Sequence, residues 1–321
     1  MILLDDLAGA VLAPATPAEL IPPPRFAHKK FSDYRVDPAI AGQQHAVHQI
    51  HAFATAKKSF LQRLGLGNHG RPGMYLDGGF GVGKTHLLAA SFHAAHGVRR
   101  YLRFAEAISL VVLYDAKTAA DLLAGDLVCI DEFELDDPAN TRLADLLLEE
   151  LVARGSRIIT TSNTVPGELG VGRMAVDRFR NELSRIADRF ANVNVPGNDF
   201  RRTSTTTVNP AHWCASSEPF ADGVVLEMHD LDKLLTRIPV ANLGRLAARL
   251  PRLSLIDPTP FTDQLAALRF VSLVDKLYDW CSQLRVRSTC SIADLFPEEY
   301  CQLAFSKKYR RCQSRLVEMC E

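Results

Sequence analysis

From residue 71 to residue 195, short apolar runs alternate with longer stretches in which apolar residues recur every three or four positions. Met74–Leu76, Tyr101–Phe104, Leu127–Asp131, Arg157–Thr161 and Asn192–Val195 read as strands. Leu127–Asp131 is apolar at nearly every position, as a parallel strand covered on both faces must be. Lys84–His96 (closed by Gly97), Thr141–Ala153 (ended by Gly155) and Asp177–Phe190 carry the helical period. This alternation predicts an α/β fold with a parallel sheet and helices on both faces.

Upstream, Gln43–Leu64 places Val47, Ile50, Phe53, Ala54 and Phe60 at helical spacing and stops at Gly65, Gly67 and Gly70. Residues 13–25 are too rich in proline for a regular helix, because proline lacks the donor and clashes one turn back. Residues 1–36 are therefore expected to form an arm on the surface or on a neighbour, and 37–210 the core. In 211–321 the pattern weakens to helices at Leu231–Arg237, Asn242–Leu250, Gln264–Cys281 and Glu298–Met319, with strands near Arg252–Ile256 and Leu284–Arg287. That region reads as mainly helical. No internal repeat is visible.

Composition narrows the classes. The 321 residues carry 37 Lys+Arg against 37 Asp+Glu, which argues against a broadly basic nucleic-acid coat and an acidic solvating tail. Apolar residues make up 47%, enough for a core and too much for wholesale disorder. The seven cysteines are odd in number and form no C-x-x-C pair, so reduced, mostly buried thiols are expected. Met1-Ile-Leu-Leu-Asp-Asp is acidic where a signal peptide is basic, and no window reaches 18 apolar residues. A cytoplasmic protein is the expectation.

Gly78-Gly79-Phe80-Gly81-Val82-Gly83-Lys84-Thr85 fits G-x-x-x-x-G-K-[ST] between a strand and a helix. Such a loop wraps a polyanion with its own amide hydrogens, so it needs glycine where a side chain would block approach. The following helix aims its positive end at the phosphates. Lys84 offers a point charge to the β and γ phosphates and Thr85 a hydroxyl to Mg²⁺.

Some forty residues on, Leu127-Val-Cys-Ile-Asp131-Glu132 ends an apolar strand in two acids. Ligands of parallel sheets sit outside the carboxyl ends of the strands, so both acids can reach the loop. Asp131 suits Mg²⁺, and Glu132 suits a general base for the attacking water. The second acid points to hydrolysis by the additional-strand ATPases. Arg157-Ile-Ile-Thr-Thr-Ser-Asn163 ends another strand, and Asn163 can orient water or touch the γ phosphate.

Phosphate loop, Asp-Glu strand end, then Thr-Ser-Asn strand end is the order of AAA+ ATPases. Further motifs narrow the likeness: Phe31-Ser-Asp-Tyr34-Arg35, Asp131-Glu-Phe133, Thr161-Ser-Asn163 with Pro166 and Leu169, Asp199-Phe200-Arg201, Arg269-Phe-Val-Ser-Leu-Val-Asp275-Lys-Leu-Tyr278-Asp, and Tyr309-Arg-Arg-Cys-Gln-Ser314-Arg315-Leu-Val-Glu318-Met319. Over about residues 25–320 the chain resembles the ZapE-type cell-division AAA+ ATPases and their mitochondrial relatives. The resemblance implies a P-loop NTPase of the AAA+ type using ATP and Mg²⁺, with His86 following the loop. It implies a homo-oligomeric ring, with a hexamer as one size, and a protein client. Bacterial members are associated with the division machinery around FtsZ. Peripheral membrane contact stays open.

The ring's trans arginine departs from the family's Gly-Leu-Gln-Arg stretch, since this chain reads Gly170-Val-Gly-Arg173-Met-Ala-Val-Asp-Arg178. Either Arg173 or Arg178 is the candidate, and the glycine pair favours Arg173. Arg269 resembles the in-cis sensor arginine.

Other constellations have plainer readings. His45, His48 and His51 recur every third residue with no further ligand, which reads as an exposed helix face. Phe305, Tyr309, Cys312, Leu316 and Met319 form one stripe, expected to dock a basic helix on the body. Cys129 reads as core. The rival functions are a DNA-acting AAA+ factor of the replication initiator or helicase-loader kind, supported by Gly83-Lys-Thr-His86-Leu-Leu88, and a nucleotide-gated scaffold. Net charge of zero argues against nucleic acid as a partner.

Overall fold

The computed structural model describes residues 4–12, 16–56, 71–79, 81–135, 138–163, 176–198, 212–302 and 306–320. The chain divides into two compact units. One comprises Ala15–Pro22 and Phe26–Thr203; the other comprises Met1–Pro14, Pro23–Arg25 and Ser204–Glu321. In chain order the helices are α1 (Leu4–Leu12), α2 (Gln43–Thr55), α3 (Lys84–Ala94), α4 (Phe104–Tyr114), α5 (Ala116–Leu123), α6 (Pro138–Ala153), α7 (Val176–Arg189), α8 (Met228–Arg237), α9 (Leu243–Ala248), α10 (Gln264–Asp279), α11 (Glu298–Gln302) and α12 (Ser306–Met319).

The unit holding the phosphate loop is built on β1 (Gly73–Asp77), β2 (Arg99–Arg103), β3 (Leu127–Asp131), β4 (Arg157–Thr161) and β5 (Phe190–Asn194). They pair in parallel in the order β2-β3-β4-β1-β5. Strand β4 stands between β1 and β3, which is the additional-strand arrangement of a P-loop NTPase. The expected fold class is therefore the observed one.

Strand parity explains why β3 is apolar as far as Asp131. Leu127 and Cys129 pack into the core beneath α2 and α3, with Met74, Leu76 and Ile159. Val128 and Ile130 pack into the opposite core, with Leu123, Leu147 and Leu151 of α5 and α6. Both faces are covered, so Asp131 at the carboxyl end is the one polar position of β3. The same parity places the side chain of Asp131 on the α3 face, the face from which Thr85 approaches. Cys129 lies fully buried and burial pushes its thiol far above the usual range, as a core residue requires.

Two helices go beyond the sequence pattern. α4 is apolar on nearly all sides, with Val112 and Leu113 exposed, so it displays little periodicity. α5 begins at a cap, where Asp115 accepts from the Thr118 amide at 2.8 Å. The expected helix to Leu64 is interrupted: α2 ends at Thr55, with Ala56 non-helical after it (ψ 129°), and residues 57–64 lie outside the described residues. His45, His48 and His51 are exposed, as expected, and the His51 ring stands edge-on to Phe31 at 4.8 Å.

The other unit contains a second parallel sheet, β6 (Trp213–Cys214), β7 (Val224–Glu227), β8 (Arg252–Ile256) and β9 (Gln283–Arg287), in the order β6-β9-β8-β7. β8 and β9 fall where the sequence places strands; β6 and β7 are too short to declare themselves. Tyr309, Cys312 and Leu316 of α12 are fully buried, so the apolar stripe docks as expected, while Phe305 lies outside the described residues. Arg311 and Arg315 of α12 both bond to Asp275 of α10. Leu7, Ala8 and Val11 of α1 enter the same core, a helix the proline-rich surroundings conceal. Among the described residues no helix is long and apolar enough to cross a membrane.

Candidate nucleotide site

The loop leaving β1 needs glycine at two places in particular. Gly78 has φ +146°, and a Cβ there would lie 2.5 Å from the Val195 carbonyl oxygen. Gly83 has φ +91°, and its Cβ would lie 2.7 Å from Cε2 of Tyr34. Tyr34 holds the loop from behind. Its hydroxyl donates to the Val82 carbonyl at 2.8 Å, and Gln43 Nε2 donates to the Pro196 carbonyl at 2.9 Å beside it. The Phe31–Arg35 motif thus braces the phosphate loop. Gly79 is exposed and Gly81 has φ +73°; Phe80 lies outside the described residues.

Lys84 opens α3 and is buried, with its ammonium turned inward. It donates to the carbonyls of Gly78 (2.8 Å) and Gly79 (2.7 Å) and to Oδ1 of Asn163 (3.0 Å). The carboxyl end of β4 thereby meets the loop leaving β1, its sheet neighbour. Thr85 Oγ1 stands 3.3 Å from Asp131 Oδ1, which joins the end of β3 to the same cluster.

Asp131 is fixed from several sides. Thr161 Oγ1 donates to Oδ1 at 2.5 Å, Tyr101 OH donates to Oδ2 at 3.0 Å, and the Glu132 amide lies 3.1 Å from Oδ1. Burial, with the nearby Asp131 charge, pushes the Tyr101 phenol well up, so it stays a donor. A carboxylate and a hydroxyl presented together form the hard-oxygen set that suits Mg²⁺, so the residues fit that ion.

Glu132 leaves the strand with φ +55°, a backbone conformation uncommon outside glycine. That turn puts its side chain largely in solvent, 56% exposed, with an oxygen 3.3 Å from Arg103 Nη1. Arg103 ends β2 and has only 11% of its side chain exposed. Its amide donates to Glu106 at 2.8 Å, and burial raises the Glu106 carboxyl above its usual range while Arg103 opposes that rise. Asn163 is held by Glu134, whose Oε1 accepts from the Asn163 main-chain amide at 3.1 Å and from Nδ2 at 3.2 Å.

Sequence reasoning missed Arg103 and Glu134. Arg103 reaches the site only through sheet pairing, where it stands opposite Asp131 in register. Glu134 carries a local signal, a third acid closely following a strand-end pair.

His86 turns aside from the loop. Its Nε2 lies 2.9 Å from the Lys30 carbonyl, and burial holds the imidazole below the usual histidine range. A neutral ring facing a carbonyl must carry its proton on Nε2. Arg269 lies in the second turn of α10 in the other unit, near Asp232 (3.5 Å) and Asp263 (3.9 Å), and its Nε is buried without a hydrogen-bond partner among the described residues. Arg173 lies outside the described residues. Arg178 falls on α7, but its side chain is likewise outside them.

The phosphate-loop geometry agrees with what the chain is similar to. The family model of AFG1-like ATPases matches residues 15–233 and 246–321. The chain belongs to the AFG1-like ATPase family. Among curated relatives, the cell division protein ZapE of Escherichia coli (strain K12) is 26% identical over 302 residues, covering 77% of each chain. The chromosomal replication initiator protein DnaA of Bordetella pertussis is 34% identical over 124 residues, which span 35% of this chain and 26% of that protein. A structure of AMPPCP-bound DnaA from Aquifex aeolicus aligns with a TM-score of 0.36 and 19% identity, over 54% of this chain and 50% of that one.

Proposed function

We propose that this AFG1-like ATPase hydrolyses ATP with Mg²⁺ at the carboxyl ends of β1, β3 and β4. One observation carries the reading. Lys84 and Thr85, Asp131, and Asn163 come from three separate segments, and the hydrogen bonds Lys84–Asn163, Thr85–Asp131 and Thr161–Asp131 gather them in one cluster. A glycine-rich turn that bound nothing would have no reason to gather them.

In the proposed reaction the backbone amides from Gly79 to His86 take the phosphate oxygens, and the Lys84 ammonium draws charge from the γ phosphate. Glu132 accepts a proton from water as its oxygen bonds to the γ phosphorus. The bond from that phosphorus to the β–γ bridging oxygen breaks, leaving ADP and phosphate. Asn163 orients the water or the γ phosphate. Thr85 and Asp131 would hold Mg²⁺, which supplies charge neutralisation on the phosphates. An arginine from an adjoining copy, Arg173 or Arg178, would complete the site, which makes a homo-oligomeric ring part of the proposal. Arg269 is proposed as the cis sensor on the resemblance alone.

The similarity to the cell division protein ZapE supports a role in cell division; a cytoplasmic location and a protein client, with FtsZ as the candidate, are proposed on the family resemblance alone. The match to DnaA favours the DNA-acting rival, and salt-sensitive retention on DNA would promote it.

The direct test is phosphate release from ATP. The wild type is expected to turn over with Mg²⁺ and to stop when the ion is chelated. Equal release with and without Mg²⁺, or none at all, would overturn the assignment.

A further inference from the structure

Resting on the ATPase reading, the geometry points to Glu134 as a positioning residue that competes with the γ phosphate for Asn163 and so sets discrimination between ATP and ADP.

The orientation of the Asn163 amide is forced by chemistry. Lys84 offers only donors and Glu134, as a carboxylate, only acceptors. The group 3.0 Å from Lys84 must therefore be the amide oxygen, and the group 3.2 Å from Glu134 the amide nitrogen. The Asn163 main-chain amide, 3.1 Å from the same Glu134 oxygen, fixes the carboxylate at this place.

This orientation is the wrong one for an anion. A γ phosphate beside Lys84 would meet the Asn163 oxygen, and the two would repel. Asn163 can serve a phosphate only by turning its Nδ2 toward it. Turning would break the bond to Glu134 and bring the amide oxygen against that carboxylate. Glu134 and the γ phosphate thus draw on one amide nitrogen, and turning it toward ATP must displace the first partner. ADP has no γ phosphate and makes no such demand.

The Lys84 contact adds to the competition. The carbonyls of Gly78 and Gly79 and the Asn163 oxygen lie 2.7–3.0 Å from its ammonium, and Asn163 comes from outside the loop. Releasing Asn163 from Glu134 loosens that acceptor as well.

The test is the dissociation constant of Mg²⁺–ATP and of Mg²⁺–ADP by calorimetry, for the wild type, Glu134→Ala, Glu134→Gln, Asn163→Ala and the double variant Glu134→Ala/Asn163→Ala. Glu134→Ala is expected to tighten ATP about fivefold relative to ADP, the weight of one partly exposed charge-assisted hydrogen bond. Glu134→Gln, which keeps an acceptor but loses the charge, should fall between. In the Asn163→Ala background the selective gain should vanish. ADP affinity in every variant reports whether the fold is intact. An unchanged ATP-to-ADP ratio in Glu134→Ala overturns the inference, and so does an equal gain with and without Asn163, which would mean simple removal of negative charge. If the wild type binds neither nucleotide, the ATPase reading itself falls, and this inference with it.

Discussion

Glu132→Gln is expected to bind ATP within about twofold of the wild type and to release phosphate about two to three orders of magnitude more slowly. The amide keeps the shape of the side chain but cannot take a proton from water. Binding should survive because the hydrogen bonds Lys84–Gly78, Thr85–Asp131 and Thr161–Asp131 do not involve the Glu132 side chain. The backbone turn should also survive. The Glu132 amide is held by Asp131 Oδ1 and by Thr161 Oγ1, each at 3.1 Å, and the Phe133 amide donates to the Thr161 carbonyl at 2.7 Å. The variant should consequently accumulate bound ATP. A variant that turned over like the wild type would remove Glu132 from the reaction and leave another group to take the proton.

The second large effect belongs to Lys84. Lys84→Ala should weaken ATP binding about a hundredfold, since it deletes the cation that the loop directs at the phosphates. The fold should tolerate the change. The carbonyls of Gly78 and Gly79 lose a donor, but they sit at a loop open to water, and the melting temperature is expected to move by only a few degrees. Nucleotide binding and thermal unfolding measured on the same sample separate the two. Wild-type affinity in Lys84→Ala would show that the loop does not hold the triphosphate. A large drop in melting temperature would show instead that the Lys84 bonds hold the loop itself together.

Much of this arrangement was legible in the sequence where one physical requirement dominates. Strands β3 and β4 are observed at Leu127–Asp131 and Arg157–Thr161, the limits their apolar runs mark, because both faces of each strand are covered. The loop from Gly78 to Thr85 was legible because amide wrapping of an anion demands glycine at fixed places. Elements that satisfy several neighbours at once were harder to read. α4 lacks a polar stripe, α1 is a short helix next to prolines, and β6 has two residues. The pairing partners of the two hydrolytic candidates were hidden for a different reason. Arg103 and Glu132 are 29 residues apart, as are Glu134 and Asn163, and only sheet register brings each pair together. No local pattern encodes that.

The contacts of Arg103 and Glu134 also give the site a common logic. The proposed base and the proposed sensor are each engaged by an oppositely disposed protein partner close to the phosphate loop. In the proposed reaction both act on water and phosphate, so the residues that hold them are natural places for control of turnover.

The central claim is that Lys84, Thr85, Asp131, Glu132 and Asn163 surround one bound triphosphate. It is tested most directly by a crystal structure of the protein with Mg²⁺ and a non-hydrolysable ATP analogue. The account predicts the phosphates within the 78–86 loop, Lys84 on the γ phosphate, the ion beside Thr85 and Asp131, and Glu132 facing the γ phosphorus across a water. An analogue bound elsewhere, or phosphates in the loop with Glu132 and Asn163 both remote from them, would contradict it.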